Sequence, residues 1–234
     1  MCNGRKIENK NEIANEFNSF FTYVGPNLAK NIEKCDGNNF DDFMKHSVNN
    51  SMFLEPTCAD EVLNVIRSCD NKVSVDSEGF NMNIVKKICE IIALPLTAIC
   101  NMSFAQGVFP DNMKTAKIIP LFKSGDDKVF TNYRPVSILP QFSKVLEKLF
   151  NKRLVNFMNH NDILYNGQYG FRKNHSTSLA LLDFIENITN AIDKKTITVG
   201  VFIDLSKAFD TIDHDILLQK MYRYGSIGLK VKLS

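Results

Sequence analysis

A carboxylate closes one of the most apolar segments of the chain. Residues 196–204, TITVGVFID, alternate in a way that predicts a strand with Ile197, Val199, Val201 and Ile203 on one face. Asp204 ends this segment, where α/β folds place catalytic groups. A carboxylate at a strand end is a natural Mg²⁺ ligand when the ion also holds substrate phosphates. The same side chain could instead be the N-cap of a following helix, and the sequence leaves both interpretations open.

A second acidic group follows within eleven residues. Asp210, Asp213, His214 and Asp215 lie close together, with His214 one helical turn after Asp210. Carboxylates and an imidazole at this spacing could bind a divalent metal ion. They could equally place acids in the first turn of a helix, where the helix dipole stabilises them.

Basic residues occur in two groups that are predicted to flank loops. Lys123 and Lys128 enclose a glycine turn, KSGDDK, and Arg134 precedes Pro135, which favours an extended backbone. An arginine on an extended segment beside a lysine loop is suited to clamp a polyphosphate. The alternative is an ordinary surface turn.

Charge is distributed unevenly over the 234 residues. The net charge is +2, but residues 1–100 carry −4 and residues 101–234 carry +6. Residues 114–173 alone hold 11 basic and 4 acidic side chains, a net charge of +7. This distribution favours a negatively charged partner such as nucleic acid, although a lysine-rich solvated surface would have the same composition.

Several helices are predicted around these groups. The first covers residues 9–24 and stops at Gly25-Pro26, and a polar linker covers residues 31–50. Thr57 and Asp60 resemble a capping box for a helix that carries Val62 and Ile66. The remaining predicted helices cover residues 82–94 and 96–106, joined at Pro95, then residues 142–158, residues 177–192 and a last segment ending near Tyr224.

Residues 117–122, KIIPLF, predict a strand, and Pro120 favours an edge position for it.

The cysteines and the hydropathy pattern indicate an intracellular protein of the nucleus or cytoplasm. None of the six cysteines forms a C-x-x-C pair, and Cys89 and Cys100 lie in apolar helical stretches typical of a core. The N-terminus has no signal-peptide pattern, so we expect reduced thiols. The apolar stretch at residues 91–103 is shorter than the ~20 apolar residues of a membrane helix and is interrupted by Pro95, so no membrane partner is expected.

Three ordered strings resemble a known family. KSGDDKVFTNYRPVSILPQFSKVLEKL, QYGFRKNHST and GVFIDLSKAFDTIDHDILL are similar to the reverse transcriptases of non-LTR retrotransposons, especially jockey-type and related LINE elements. The resemblance is strong over residues 114–225. It is weaker but visible over NGRKIENKNEIANEFNSFFTYVGPNLA, which resembles the segment joining endonuclease and polymerase in such elements.

The resemblance implies an RNA-directed DNA polymerase that uses an RNA template, a DNA primer, deoxynucleoside triphosphates and Mg²⁺. Asp204 would be the first carboxylate for the catalytic metal ions, and the main-chain carbonyl of Leu205 a further ligand. Phe209 would be the steric gate that excludes a 2′-OH, and Lys123 and Arg134 would contact the triphosphate.

The resemblance also assigns the GFR motif to the template. Gly170, Phe171 and Arg172 would lie near the template strand and the templating base.

The implied architecture is an α+β fold, a right-hand polymerase with fingers and a partial palm behind a helical N-terminal extension. Residues 1–110 would be the linker and helical extension, and residues 111–234 an incomplete reverse transcriptase domain. The family also needs an Ala-Asp-Asp hairpin, whereas no acidic residue follows Asp215, and the only Asp-Asp pair in a comparable loop, Asp126-Asp127, lies upstream. We therefore expect a chain truncated before that motif and inactive alone.

Two other functions remain open at the level of sequence. One is a non-catalytic nucleic-acid-binding relic that keeps only the basic surface. The other is an interaction protein that binds its partner through its helices and whose acidic residues only cap them. Salt-dependent binding to a primed template would separate this protein from both the polymerase and the relic.

Overall fold

Helices dominate the structure, with one small sheet between them. The computed structural model describes residues 7–30, 44, 48, 50–205, 208–209 and 211–225. Its elements are α1 (Lys10–Lys30), α2 (Ala59–Arg67), α3 (Met82–Lys87), α4 (Cys89–Gln106), β1 (Lys117–Phe122), β2 (Tyr133–Ile138), α5 (Gln141–His160), α6 (Thr177–Asp193) and α7 (His214–Arg223). This is a mixed arrangement compatible with the predicted α+β class.

The hydrophobic core lies among α2, α3, α4 and α5. It contains Val62, Ile66, Met82, Val85, Leu96, Cys100, Val145, Leu146 and Leu149, all buried. These residues recur at helical spacing, as the sequence predicted for α2 and α5, so each helix buries one apolar stripe. The core therefore includes residues from both sides of position 110.

An ion pair joins α2 to α5 beside this core. Arg153 on α5 donates to Glu61 Oε2 at 2.9 Å, and Lys152 donates to Glu61 Oε1 at 2.8 Å. Arg153 also donates to the carbonyl of Glu55 and lies 5.1 Å from the centroid of the Phe104 ring. Arg153 thus links α5 to α2, to the segment before α2 and to α4.

A buried aspartate caps α5 from a distant loop. Asp76 accepts from the backbone N–H groups of Glu78 and Phe80 through Oδ1, and from Gln141 N at 2.9 Å through Oδ2. Gln141 is the first residue of α5, where helical N–H groups lack partners and a negative charge is stabilised. Asp76 thus ties the α2–α3 loop to the helix that follows the sheet.

Cysteines in the described residues are free thiols. Cys69, Cys89 and Cys100 are buried and Cys58 is exposed. Burial raises the pKa of the Cys100 thiol to about 11, so it is protonated and behaves as a small apolar core residue. The interpretation of Cys89 and Cys100 as core residues is confirmed.

Two helix boundaries differ from the predictions because proline did not end a helix. Helix α1 continues through Pro26, and α4 continues through Pro95, while the break before α4 lies at Ile88. Buried α4 positions recur on both sides of Pro95, so packing maintains the helix where one backbone hydrogen bond is missing. Gly107 ends α4 with φ 64°, as predicted.

The predicted capping box at α2 is also wrong. Cys58 is the N-cap and makes no side-chain capping bond, whereas the Thr57 hydroxyl donates to Glu61 Oε2 at 2.7 Å. Thr57 therefore supports the ion pair instead of the helix terminus.

One described helix, α4, is long and apolar enough by length and composition to cross a membrane. Cys89, Ala93, Leu96 and Cys100 of this helix are buried in the core shared with α2, α3 and α5. A helix buried in a protein core can have the same length and apolar composition as a membrane helix.

Residues 196–204 do not form the predicted strand. They have no regular secondary structure, and their apolar side chains are exposed. A strand needs a partner for its backbone groups, and the two described strands, β1 and β2, pair only with each other. The alternation is present in the sequence, but nothing in the described part of the chain pairs with it.

Candidate functional site

The two strands form a hairpin that carries both candidate phosphate-binding residues. β1 and β2 are antiparallel, and Leu121 pairs with Arg134. The next main-chain bond runs from Lys123 N to Asn132 O at 2.8 Å, so Lys123 continues the register opposite Asn132. Residues opposite each other share a face, and Lys123 lies two positions from Leu121. Lys123 and Arg134 are therefore diagonal neighbours on one face.

That face of the hairpin is exposed. Its centre is formed by the exposed side chains of Ile119, Leu121 and Val136. Within the described part of the chain, neither Lys123 nor Arg134 makes a salt bridge, so both cations face solvent. Two exposed cations about one diagonal step apart beside apolar surface can bind a phosphate-bearing ligand.

Residues 123–128 form a tightly closed loop. Gly125 has φ 94°, and a Cβ at this position would lie 2.7 Å from Asn132 Nδ2, so glycine is required. Asn132 Nδ2 donates to Asp126 O at 2.8 Å, and the Tyr133 hydroxyl donates to Asp127 O at 2.8 Å. The loop is thus more than a simple glycine turn: Asn132, just before β2, and Tyr133, the first residue of β2, hold it in place.

The acidic pair of this loop has a local role. Asp126 Oδ1 accepts from Lys128 N at 2.9 Å, which closes the turn. Among the described residues, no group of three His, Cys, Asp or Glu side chains is placed to hold a metal ion.

The GFR motif forms a strained turn. Phe171 has φ 60°, which is unusual for a residue other than glycine, and its side chain is 95% exposed. Arg172 Nη1 donates to Tyr165 O at 2.9 Å, and a Cβ at Gly170 would meet no atom within 4 Å. The turn therefore exposes the Phe171 ring, while the next residue, Arg172, is held by its bond to Tyr165 O.

The Phe171 ring contacts the ring of Phe209. Their centroids lie 5.9 Å apart at an interplanar angle of 85°, an edge-to-face pair. The candidate template residue and the candidate gate, 38 positions apart in sequence, are thus brought together.

Asp204 and Leu205 lie in the exposed, irregular segment before Phe209. They offer one carboxylate and one neighbouring carbonyl, both hard oxygen donors that suit Mg²⁺. These donors fit the ion but fill only part of its octahedral shell, so substrate oxygens, water or further carboxylates must supply the rest.

Asp213, and not Asp204, is the N-cap of the described helix that follows, α7. Helix α7 begins at His214, and its N-cap is Asp213, whose Oδ1 accepts from Asp215 N at 2.9 Å and Ile216 N at 3.1 Å. Asp215 lies in the first turn, as the dipole interpretation predicted. Asp210 lies outside the described residues.

The structure adds residues that sequence reasoning missed. Phe17 of α1 contacts Phe130 and Tyr133 of the hairpin, and Asn132 and Tyr133 fasten the loop. The signal for Phe17 was the run of phenylalanines at helical spacing in α1, but only the fold shows which surface that face covers.

Comparisons with known proteins agree with the resemblance. The model of the family described as reverse transcriptase (RNA-dependent DNA polymerase) matches residues 123–227. A probable RNA-directed DNA polymerase from transposon BS of Drosophila melanogaster is 32% identical over 172 residues, covering 73% of this chain and 19% of that protein. The RNA-directed DNA polymerase from the mobile element jockey of the same species is 27% identical over 221 residues, covering 93% of this chain and 23% of that protein.

A third relative is a probable RNA-directed DNA polymerase from the transposon X-element of Drosophila melanogaster, 31% identical over 181 residues, which covers 77% of this chain and 18% of the relative. The chain thus spans about a fifth of the length of these relatives.

Proposed function

Because the chain belongs to the LINE-type, non-LTR family of reverse transcriptases, we propose that it supplies the fingers and the first part of the palm of an RNA-directed DNA polymerase. Its ligands are an RNA template, a DNA primer and deoxynucleoside triphosphates. It acts inside the cell, in the nucleus or cytoplasm. The observation that carries this proposal is the exposed pair of Lys123 and Arg134 on one hairpin face, within the segment matched by the family.

The hairpin binds phosphate. Lys123 and Arg134 approach a polyphosphate from one face, and the arginine offers a planar fork of donors while the lysine offers a mobile point charge. Two cations offset the charge that develops on a leaving pyrophosphate during nucleotidyl transfer.

Asp204 and the carbonyl of Leu205 hold Mg²⁺. When bound, this ion activates a primer 3′-OH and neutralises the phosphates of the incoming nucleotide. The exposed position of Asp204 keeps its carboxylate accessible from solvent.

Phe209 and Phe171 contact the sugar of the incoming nucleotide and the template, respectively. Phe209 occupies the space that a 2′-OH would need, which selects deoxynucleotides. Phe171, on its strained turn, contacts the templating base, while Gly170 leaves room for a close backbone approach and Arg172 supplies positive charge.

Binding to a primed template tests the proposal. We expect Lys123→Gln, Arg134→Gln and Arg172→Gln together to weaken binding of a fluorescein-labelled DNA primer on an RNA template. The slope of log K against log salt should become shallower by about 1 for each phosphate contact removed.

A matched control removes equal charge elsewhere. Lys10→Gln, Lys87→Gln and Lys194→Gln change three cations outside residues 114–173 and should leave the slope unchanged. An unchanged slope in the first triple variant contradicts the proposal.

A non-catalytic nucleic-acid-binding protein is the second candidate. The observation that favours it is the lack, among the described residues, of a group of three metal-ligating side chains. Binding with the expected salt slope but no primer extension, even when the rest of a related polymerase is supplied on the same polypeptide, would support it.

A further inference from the structure

Helix α1 packs against the face of the hairpin opposite Lys123 and Arg134. The Phe17 ring lies 4.5 Å from the Phe130 ring at 82° and 4.9 Å from the Tyr133 ring at 72°, both edge-to-face contacts. Phe20 adds a stacked contact with Phe130 at 6.1 Å. Phe130 is 9% exposed, so this aromatic contact is the buried anchor of the hairpin.

The two residues that Phe17 contacts, Phe130 and Tyr133, lie between Lys123 and Arg134 in the sequence. Phe130 begins the short helical turn Phe130–Asn132, and Asn132 O accepts from Lys123 N. Tyr133 precedes Arg134 directly, and its hydroxyl closes the loop that starts at Lys123. A displacement of Phe130 or Tyr133 would therefore move both cations.

In the described part of the chain, no further strand pairs with the hairpin. Lys123 N donates to Asn132 O, which lies opposite it in the register, so the alternating pattern makes Pro120 and Pro135 a non-hydrogen-bonded pair. Their ring nitrogens then point to the two outer edges, where a proline cannot donate to a further strand. An isolated two-stranded hairpin is marginally stable, so the packing of Phe17 and Phe20 on Phe130 and Tyr133 contributes to the order of this one.

We propose that Phe17 is a positioning residue for phosphate binding, which acts through Phe130 and Tyr133 on Lys123 and Arg134. The inference rests on the proposed function and extends the site to α1, which lies outside the segment matched by the family. The ligand is phosphate, carried either by the triphosphate of a nucleotide or by the backbone of the template and primer.

The test compares Phe17→Ala and Phe17→Leu with Tyr23→Ala. Tyr23 is an aromatic residue of the same helix that is 61% exposed, so its removal matches the change of composition without touching the hairpin. We expect Phe17→Ala to weaken binding of the labelled primer-template about fivefold to tenfold and to make the salt slope shallower by about 1 to 2. Phe17→Leu keeps apolar bulk and should lie between; it replaces the alanine variant if thermal melting shows that variant unfolded.

A double-mutant cycle separates positioning from general stability. In the Lys123→Gln/Arg134→Gln background, the Phe17 substitutions should change affinity by less than about twofold, because the groups they position are gone. An equal loss in both backgrounds, or binding by both Phe17 variants that equals that of Tyr23→Ala, overturns the inference.

The cycle also distinguishes the two failures. If Lys123→Gln/Arg134→Gln alone leaves binding unchanged, the proposed function fails at the hairpin, whatever Phe17 does. Inorganic tripolyphosphate distinguishes the two phosphate sources: Phe17→Ala lowers its affinity if the pair holds a triphosphate, and lowers only primer-template affinity if the pair holds the backbone. A lower affinity for either ligand supports the role of Phe17 in positioning Lys123 and Arg134.

Discussion

At the scale of single residues, Phe209 carries the sharpest consequence for specificity. We expect Phe209→Val, in a longer polypeptide that carries the remaining polymerase segments, to admit ribonucleotides, because a smaller side chain opens space beside the 2′ carbon. The measurement is the ratio of kcat/KM for a deoxynucleotide to that for the matching ribonucleotide. Phe202→Val, at another exposed phenylalanine of the same segment, is the control and should keep the ratio. A Phe209 variant that rejects ribonucleotides as strongly as the parent would contradict the gate.

The types of the candidate residues could be predicted from the sequence, but not their neighbours. Lys123 and Arg134 are eleven positions apart, and only the register of the hairpin makes them diagonal neighbours. The contact between Phe171 and Phe209 depends on a backbone with positive φ at Phe171, which no propensity predicts for phenylalanine.

At the scale of elements, the ion pair of Glu61 on α2 with Arg153 and Lys152 on α5 should make the free energy of unfolding depend on pH in the acid range. Burial raises the pKa of Glu61, but hydrogen bonds from Arg153, Lys152 and Thr57 outweigh it and lower the pKa from 4.5 to about 2. A carboxylate with a lowered pKa stabilises the fold above its unfolded pKa, so this contribution is present above pH 4.5 and is lost as the pH falls toward 2.

Glu61→Gln should therefore lower the free energy of unfolding at pH 7 by about 1 to 2 kcal/mol, because it weakens the charged hydrogen bonds of Arg153 and Lys152 at a site that solvent partly screens. It should also flatten the dependence on pH between 4.5 and 2. Urea unfolding at a series of pH values measures both. Glu90→Gln removes an exposed partner of Arg67 and should cost less than about 1 kcal/mol. Equal losses in the two variants would contradict the assignment.

The helices were predicted best where one apolar stripe repeats, as in α5, because burial of that stripe drives the local fold. Prediction failed at Pro95, where packing of α4 outweighs a missing hydrogen bond, and at residues 196–204, where a strand pattern has no described partner. Each failure reflects contacts distant in sequence, which local patterns do not contain.

At the scale of the whole molecule, we expect no DNA synthesis from the 234 residues alone. Two-metal chemistry needs carboxylates on both sides of an ion pair about 3.5–4 Å apart, and the described residues assemble no such group around Asp204. The measurement is primer extension on an RNA template with Mg²⁺, beside an Asp204→Asn variant. Extension by the parent but not by the variant would show that other acids of the chain complete the site.

The proline pair of the hairpin has a consequence for self-association. Pro120 and Pro135 each remove one backbone donor from an outer edge, which disfavours the edge-to-edge pairing that leads to aggregates. Residues 196–203 have no such protection: they are uncharged, free of proline, rich in β-branched side chains and exposed in the described structure. Segments of this kind form the dry, interdigitated interfaces of cross-β fibrils. The prolines therefore disfavour amyloid-like assembly through β1 and β2. The segment that ends at Asp204 is the part of the described structure where we expect such assembly to begin.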